Sequence, residues 1–256
     1  DDVKRFFETW YGPGNAVLVL CGDFDTESAM ESVRRYFGEI AARPDPARTD
    51  VPTVETGAER VIRIEDTVSV PRVYAMYHAP PVRSPSYETG ALFASVLAGG
   101  KSSRLYQELV YDRRVAADVH AHVWPLESVG MLWVVATARP GVSASSLQEA
   151  VDETLLGLVP EGPSEAEVAG ARNRAQRQLL LRVESVGGRA DALAHAAVLK
   201  GDPALVNSAP GRYASVSATD VAALGAELLR PERRTVVHVV PGESGATAAA
   251  EPESPR

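Results

Sequence analysis

The spacing of hydrophobic residues changes several times along the chain, and each change marks an element. In DDVKRFFETWYGPGN, Val3, Phe6, Phe7 and Trp10 recur at helical spacing, which predicts an amphipathic first helix. Residues 16–21, AVLVLC, form a short uninterrupted apolar run, the pattern of a buried strand. A turn over residues 22–26 leads into a helix over 26–37, where Ala29, Val33 and Phe37 recur at four-residue steps. Residues 41–59 have no period and are rich in Pro, Thr and acidic side chains, which predicts a linker.

A second set of elements begins at Arg60. Residues 61–64 and 72–79 have strand character, and a helix follows with Ser84 as its N-cap and Pro85 in its first turn. Leu92, Val96 and Leu97 line that helix, Gly99-Gly100 ends it, and Ser102 or Ser103 caps the next one. From 115 to 123 the period falls to two. Val115, Ala117, Val119, Ala121 and Val123 form one face of a half-buried strand, and Ala116, Asp118, His120 and His122 form the other. A more uniformly apolar strand covers 131–138. Helices are expected over 145–158, 164–185, 188–200 and 217–229, the second opened by a capping box of Ser164 and Glu167. A last strand, 235–240, precedes a small, polar tail at 241–256 with the composition of a disordered segment. Paired strands separated by paired helices predict an α+β domain, its mostly antiparallel sheet covered by helices on one face.

Composition narrows the function classes. The chain has 256 residues, a net charge of −8 and no basic cluster, which argues against a nucleic-acid partner. No apolar run approaches the ~20 residues of a membrane span. Cys21 is the sole cysteine, so neither an internal disulfide nor a thiolate metal cluster can form within the chain. Its apolar surroundings predict a buried structural thiol.

The run GGKSS tests a phosphate-binding loop. That motif needs a glycine five residues before Gly100, and Ser95 stands there inside a predicted helix. The glycines are therefore a helix end. His78, His120, His122, His195 and His238 contain no pair at the spacing of H-x-x-E-H or H-E-x-x-H. Asp118, His120 and His122, two residues apart on one strand face, are weak candidates for a metal site, since a persuasive site needs an outside fourth ligand. His195 and His238 are expected to pack in apolar surroundings. Glu108, Asp112, Arg113, Arg114, Glu149, Asp152 and Glu153 are expected on solvated helix faces.

The order of these features resembles a known family. FFETWYGPGNAVLVLCGDFDTESAMESVRRYFGEI is similar to the end of the catalytic domain in the insulinase, pitrilysin and mitochondrial processing peptidase family. Its Y-x-P-x-N-x-x-L-x-x-x-G-D-F-D run falls on Tyr11, Pro13, Asn15, Leu18, Gly22, Asp23, Phe24 and Asp25. LAGGKSSRLYQELVYDRRVAADV resembles the helix-turn-helix signature of that family's inactive-type repeat. The resemblance implies a processing-peptidase-like metallohydrolase fold. Residues 1–40 would be a helix-strand-helix remnant of a catalytic-type domain, 41–59 a linker, and 60–240 a second domain that binds no zinc.

The resemblance also implies a division of labour. Zinc and H-x-x-E-H belong to a catalytic domain before Asp1, so this chain is expected to hold no cofactor, to be inactive alone and to be cut from something longer. Its implied partners are a peptide substrate and a homologous catalytic domain, in the same chain or another. A homodimer is left open, and neither nucleic acid nor membrane is expected. In the family, the second half often supplies an arginine and a tyrosine, seven residues apart, that bind the peptide or stabilise the tetrahedral intermediate. Laid over LVYDRRVAAD, these positions fall on Tyr111 and Asp118, which do not match the pair, while Arg113 or Arg114 could carry the positive charge. The rival reading is a non-catalytic structural or interaction subunit homologous to the processing peptidase.

Overall fold

A computed structural model describes residues 1–44, 46 and 57–242. Most of the expected linker and the tail beyond Gly242 lie outside these residues. The chain divides into two compact units, Asp1–Pro52 with Arg177–Ala209, and Thr53–Gln176 with Pro210–Arg256.

The first unit begins with α1 (Asp2–Trp10) and α2 (Thr26–Phe37). Asp25 caps α2, its carboxylate accepting from the Ser28 amide at 2.9 Å. Neither helix has a buried residue, so Val3, Phe6, Phe7 and Trp10 keep the predicted apolar face but present it to solvent. Residues 16–21 correct the expectation. They form no strand, and Val17, Leu18 and Leu20 are exposed. An apolar run becomes a buried strand only with a paired neighbour, and no strand pairs with this one among the described residues. Cys21 is accordingly half-buried and free rather than buried.

The second unit contains β1 (Arg60–Asp66), β2 (Arg72–Ala79), α3 (Tyr87–Ala98) and α4 (Arg104–Tyr106), the last continuing as a wider π-helical stretch, Gln107–Asp112. Then come β3 (Ala116–Trp124), β4 (Gly130–Ala138), α5 (Ala144–Glu161) and α6 (Glu165–Glu184), of which α6 belongs to this unit up to Gln176 and to the first unit from Arg177. After α7 (Val186–His195) in the first unit come α8 (Leu205–Ser215), which enters the second unit at Pro210, then α9 (Ala218–Leu228) and β5 (Arg234–Pro241). The strands lie in the order β1-β5-β2-β4-β3. Only the β1–β5 pairing is parallel, so the predicted α+β architecture with a mostly antiparallel sheet holds.

Strand alternation builds the core. Val73, Ala75 and Tyr77 of β2, Leu132, Val134 and Ala136 of β4, and Val236 and Val240 of β5 pack with Leu92, Leu97, Leu147, Leu155 and Val221 from the helices. The opposite face is open within this unit: Tyr74, Met76, Trp133 and Val237 are half-buried, and Ile62, His120, His122 and Trp124 are exposed.

Two local expectations shift by a residue or two. α3 starts at Tyr87 with Ser86 in the cap position, and the Ser84 hydroxyl accepts from the Ser86 amide instead of capping the helix. Gly99 is the C-cap of α3 as expected, and the position suits glycine because a Cβ there would run into the Ser95 carbonyl oxygen. Ser103 precedes α4, but its hydroxyl donates to the Gly100 carbonyl oxygen at 2.5 Å.

Candidate functional site

The segment from Gln107 to Trp124 carries the sequence-derived candidates in succession, from a π-helical stretch through a turn into β3. The π-helical stretch leaves Tyr111 47% exposed, its ring 5.5 Å from that of Tyr106. Arg114 then turns the chain at φ +55°, a left-handed conformation that disfavours side chains with a Cβ. Its Nε donates to the Tyr111 carbonyl oxygen at 3.3 Å.

Arg113 is already engaged by carboxylates. It donates from Nε to Glu108 at 2.6 Å and from Nη1 to Glu153 at 2.5 Å. Those two partners, Glu153 foremost, hold its pKa above the usual range, so its charge is fixed and locally neutralised. Arg114 has no carboxylate among these contacts and is the freer of the two cations.

A bulge between Ala116 and Asp118 then resets the strand. Ala116 is buried and Ala117 exposed, the reverse of the simple alternation, because the irregularity at Ala117 changes which side faces the core. Beyond it the predicted faces hold. Val119 is buried inward, while Asp118, His120 and His122 point to the open face opposite Thr137, Val135 and Trp133. No hydrogen bond or ion pair joins Tyr111 to Asp118 among the described residues.

The three candidate ligands do not converge. His120 Nδ1 lies 3.7 Å from Asp118 Oδ2, and the His120 and His122 rings stack nearly parallel with centroids 6.3 Å apart. Among the described residues no group of three or more His, Cys, Asp or Glu side chains could hold a metal ion.

The structure adds aromatic neighbours that the histidine search passed over. The His122 ring centroid lies 6.2 Å from Trp124 and 6.0 Å from Trp133, the two indoles are 5.8 Å apart, and Tyr74 meets Trp133 edge-on at 6.2 Å. The signal was present in the sequence, since Trp124 continues the two-residue period of His120 and His122. Trp133 Nε1 is buried and has no hydrogen-bond partner among the described residues. Burial lowers the His122 pKa, and the neighbouring His120 lowers it further, so His122 favours the neutral form.

Two other expectations differ from the structure. His195 is exposed, 3.7 Å from the Asp191 carboxylate, rather than packed in a core. Asp152 is half-buried rather than solvated, pairing with the 5%-exposed Arg234. His238 packs as expected at 8% exposure, its Nε2 2.7 Å from Gln148 Oε1.

Comparison with known proteins gives these features a family. A zinc protease of Streptomyces coelicolor is 25% identical over 236 residues, covering 90% of this chain and 51% of the relative. The chain therefore spans about half the length of that relative. In fold, it is similar to a protease from Helicobacter pylori, with TM-score 0.82 at 21% identity over 94% of this chain and 59% of the other. It is also similar to a peptidase M16 inactive domain from Pseudomonas fluorescens, with TM-score 0.81 at 19% identity over 94% and 57% of the two chains. Residues 1–175 match the Peptidase M16 inactive domain, and this chain, matched over more than half its length, belongs to that family.

Proposed function

We propose that this chain is the zinc-free, peptide-holding half of a zinc metallopeptidase, with hydrolysis carried out by a homologous catalytic domain outside the chain. The observation that carries the reading is the open face of the sheet in a chain of the M16 inactive-domain family. Helices cover the other face, whereas this one presents Asp118, His120, His122 and Trp124 to solvent, on the strand that follows the Tyr111–Arg114 turn. An extended peptide can lie along such a surface, with side chains on alternate sides. Tyr111 offers a hydroxyl to a peptide carbonyl, and Arg114 offers a positive charge. Among the described residues no group of three or more His, Cys, Asp or Glu side chains could hold a metal ion, and the reading assigns no chemical step to this chain.

The test uses the full-length protein that contains this chain. It should hydrolyse peptides when loaded with zinc, and the double variant Tyr111→Phe, Asp118→Asn should lower kcat/KM at unchanged zinc content. Unchanged kinetics would leave both residues as scaffold. A full-length protein that binds zinc yet cleaves no peptide would favour the structural-subunit reading. Elemental analysis of the desalted 256-residue chain should find far less than one zinc per chain; stoichiometric metal would promote Asp118, His120 and His122 to ligands.

A further inference from the structure

We infer that the aromatic and imidazole rings on the open face of β2, β4 and β3 form a subsite for a bulky aromatic side chain of an extended peptide. The inference rests on the peptide-holding reading above and specifies the substrate class. Five rings form the shelf: Tyr74 from β2, Trp133 from β4, and His120, His122 and Trp124 from β3. Neighbouring centroids lie 5.8–6.3 Å apart, within the range in which rings attract through tilted and edge-on contacts.

Three observations choose the occupant. First, Trp124 is 47% exposed beside exposed His122, so one side of the cluster is vacant for another ring. Tryptophan and tyrosine at such a position are the residue types that anchor partners. Second, Trp133 Nε1 is a buried donor without an acceptor among the described residues, at a place in the shelf to which a peptide would bring carbonyl oxygens. A purely apolar partner would leave that donor unsatisfied. Third, among the described residues β3 is an edge strand paired only with β4, so its outer edge can hydrogen-bond to an extended backbone while alternate peptide side chains fall on the shelf. Together they favour an extended peptide with an aromatic side chain; a second copy pairing edge to edge through its own β3 would instead give concentration-dependent dimerisation and no saturable response to peptide.

The two shelf tryptophans supply the readout. The chain has three tryptophans; Trp10→Phe removes the one outside the shelf, and the part of the emission change that Trp124→Phe or Trp133→Phe abolishes is the part that reports the shelf. In the full-length protein carrying Trp10→Phe, a blocked peptide Ala-Ala-Phe-Ala-Ala should shift tryptophan emission saturably, and bind at least about tenfold more tightly than its Phe-to-Ser counterpart. Trp124→Ala, at an exposed position, should abolish the preference without lowering the melting temperature. Equal affinity for the two peptides, or a preference that survives Trp124→Ala, overturns the inference. If both peptides are still hydrolysed in that case, the peptide-holding reading stands without the subsite; if neither peptide binds nor is cleaved, both fail.

Discussion

Arg104, the first residue of α4, holds Glu167 in the first turn of α6 through two parallel hydrogen bonds, Nε to Oε1 at 2.5 Å and Nη2 to Oε2 at 2.8 Å. The same carboxylate accepts from the amide and hydroxyl of Ser164, and the Glu167 amide donates to the Ser164 hydroxyl at 3.3 Å, completing the predicted capping box. Arg104 also donates to the Gly162 carbonyl oxygen at 2.8 Å, so one guanidinium binds both the loop before α6 and its first turn. The hydrogen bonds from Arg104, then those from Ser164, hold the Glu167 pKa down from 4.5 to about 2. A depressed carboxylate pKa contributes stability that is present above pH 4.5 and lost as pH falls toward 2. Glu167→Gln should therefore cost about 1–2 kcal/mol at pH 7, discounted for partial exposure, and progressively less on acidification. Urea titrations at pH 7 and pH 3 check this; a constant difference between the two would mean that the charge does not matter.

Arg234 is the most deeply placed charge in the sheet. Its guanidinium meets Asp152 twice, at 2.5 and 2.7 Å, and it also reaches Glu59 at 2.6 Å and the Tyr77 hydroxyl at 3.0 Å. Asp152→Ala leaves that charge beneath the sheet with Glu59 as its remaining carboxylate, and should cost about 2–4 kcal/mol. Glu59→Gln removes the more exposed partner and should cost less than half as much. Denaturation midpoints of the two variants decide the ranking, and equal losses would show that the two carboxylates share the charge evenly.

The same pair shows where sequence reading succeeds and where it stops. Helix α2, strand β2 and the Ser164–Glu167 box were legible because capping and period are local properties. Asp152 was assigned to solvent because Arg234 lies 82 residues away and nothing local announces it. Residues 16–21 failed for a related reason, since strand formation depends on a partner that apolarity alone does not supply. The bulge at Ala117 was invisible in a Val/Ala alternation in which alanine suits either face. Helix α8 was missed because Asn207, Ser208 and Pro210 lower its propensity below that of its neighbours. At the candidate site the histidine face was legible from its period, but the rings from β2 and β4 join it only through sheet pairing.

Arg114 gives a prediction of opposite sign. Its φ of +55° costs a residue with a Cβ about 1–2 kcal/mol, whereas glycine adopts it freely. Glycine also gains unfolded-state entropy and forfeits the 3.3 Å contact to the Tyr111 carbonyl, which offset part of the relief. Arg114→Gly should still stabilise the fold by about 0.5 kcal/mol, raising the denaturation midpoint at an unchanged slope. A lower midpoint would show that the arginine side chain does more for this turn than its Nε contact indicates.

The shelf should report its own protonation. His122 is held below its usual pKa of 6.5 by burial and then by His120, so in the folded state it stays neutral to lower pH than in the unfolded chain. Its stabilising contribution is complete above pH 6.5 and is lost as pH falls through the unfolded and then the folded pKa. The ionisable groups on the same face are Asp118 and His120 from β3, Arg72, Tyr74 and His78 from β2, and Arg60 and Asp66 from the far strand β1, whereas β4 presents Met131, Trp133, Val135 and Thr137 and β5 Thr235, Val237 and Val239. Asp118 lies nearest His120 at 3.7 Å, so His120 has the acidic neighbour that His122 lacks. Imidazolium quenches indole emission on contact, and His122 sits 6.0 Å from Trp133 and 6.2 Å from Trp124, centroid to centroid. Emission of the Trp10→Phe chain should therefore fall with a midpoint below pH 6.5, and His122→Gln should remove most of that step while His120→Gln should raise its midpoint. A titration unchanged by His122→Gln would place the quencher elsewhere on the sheet.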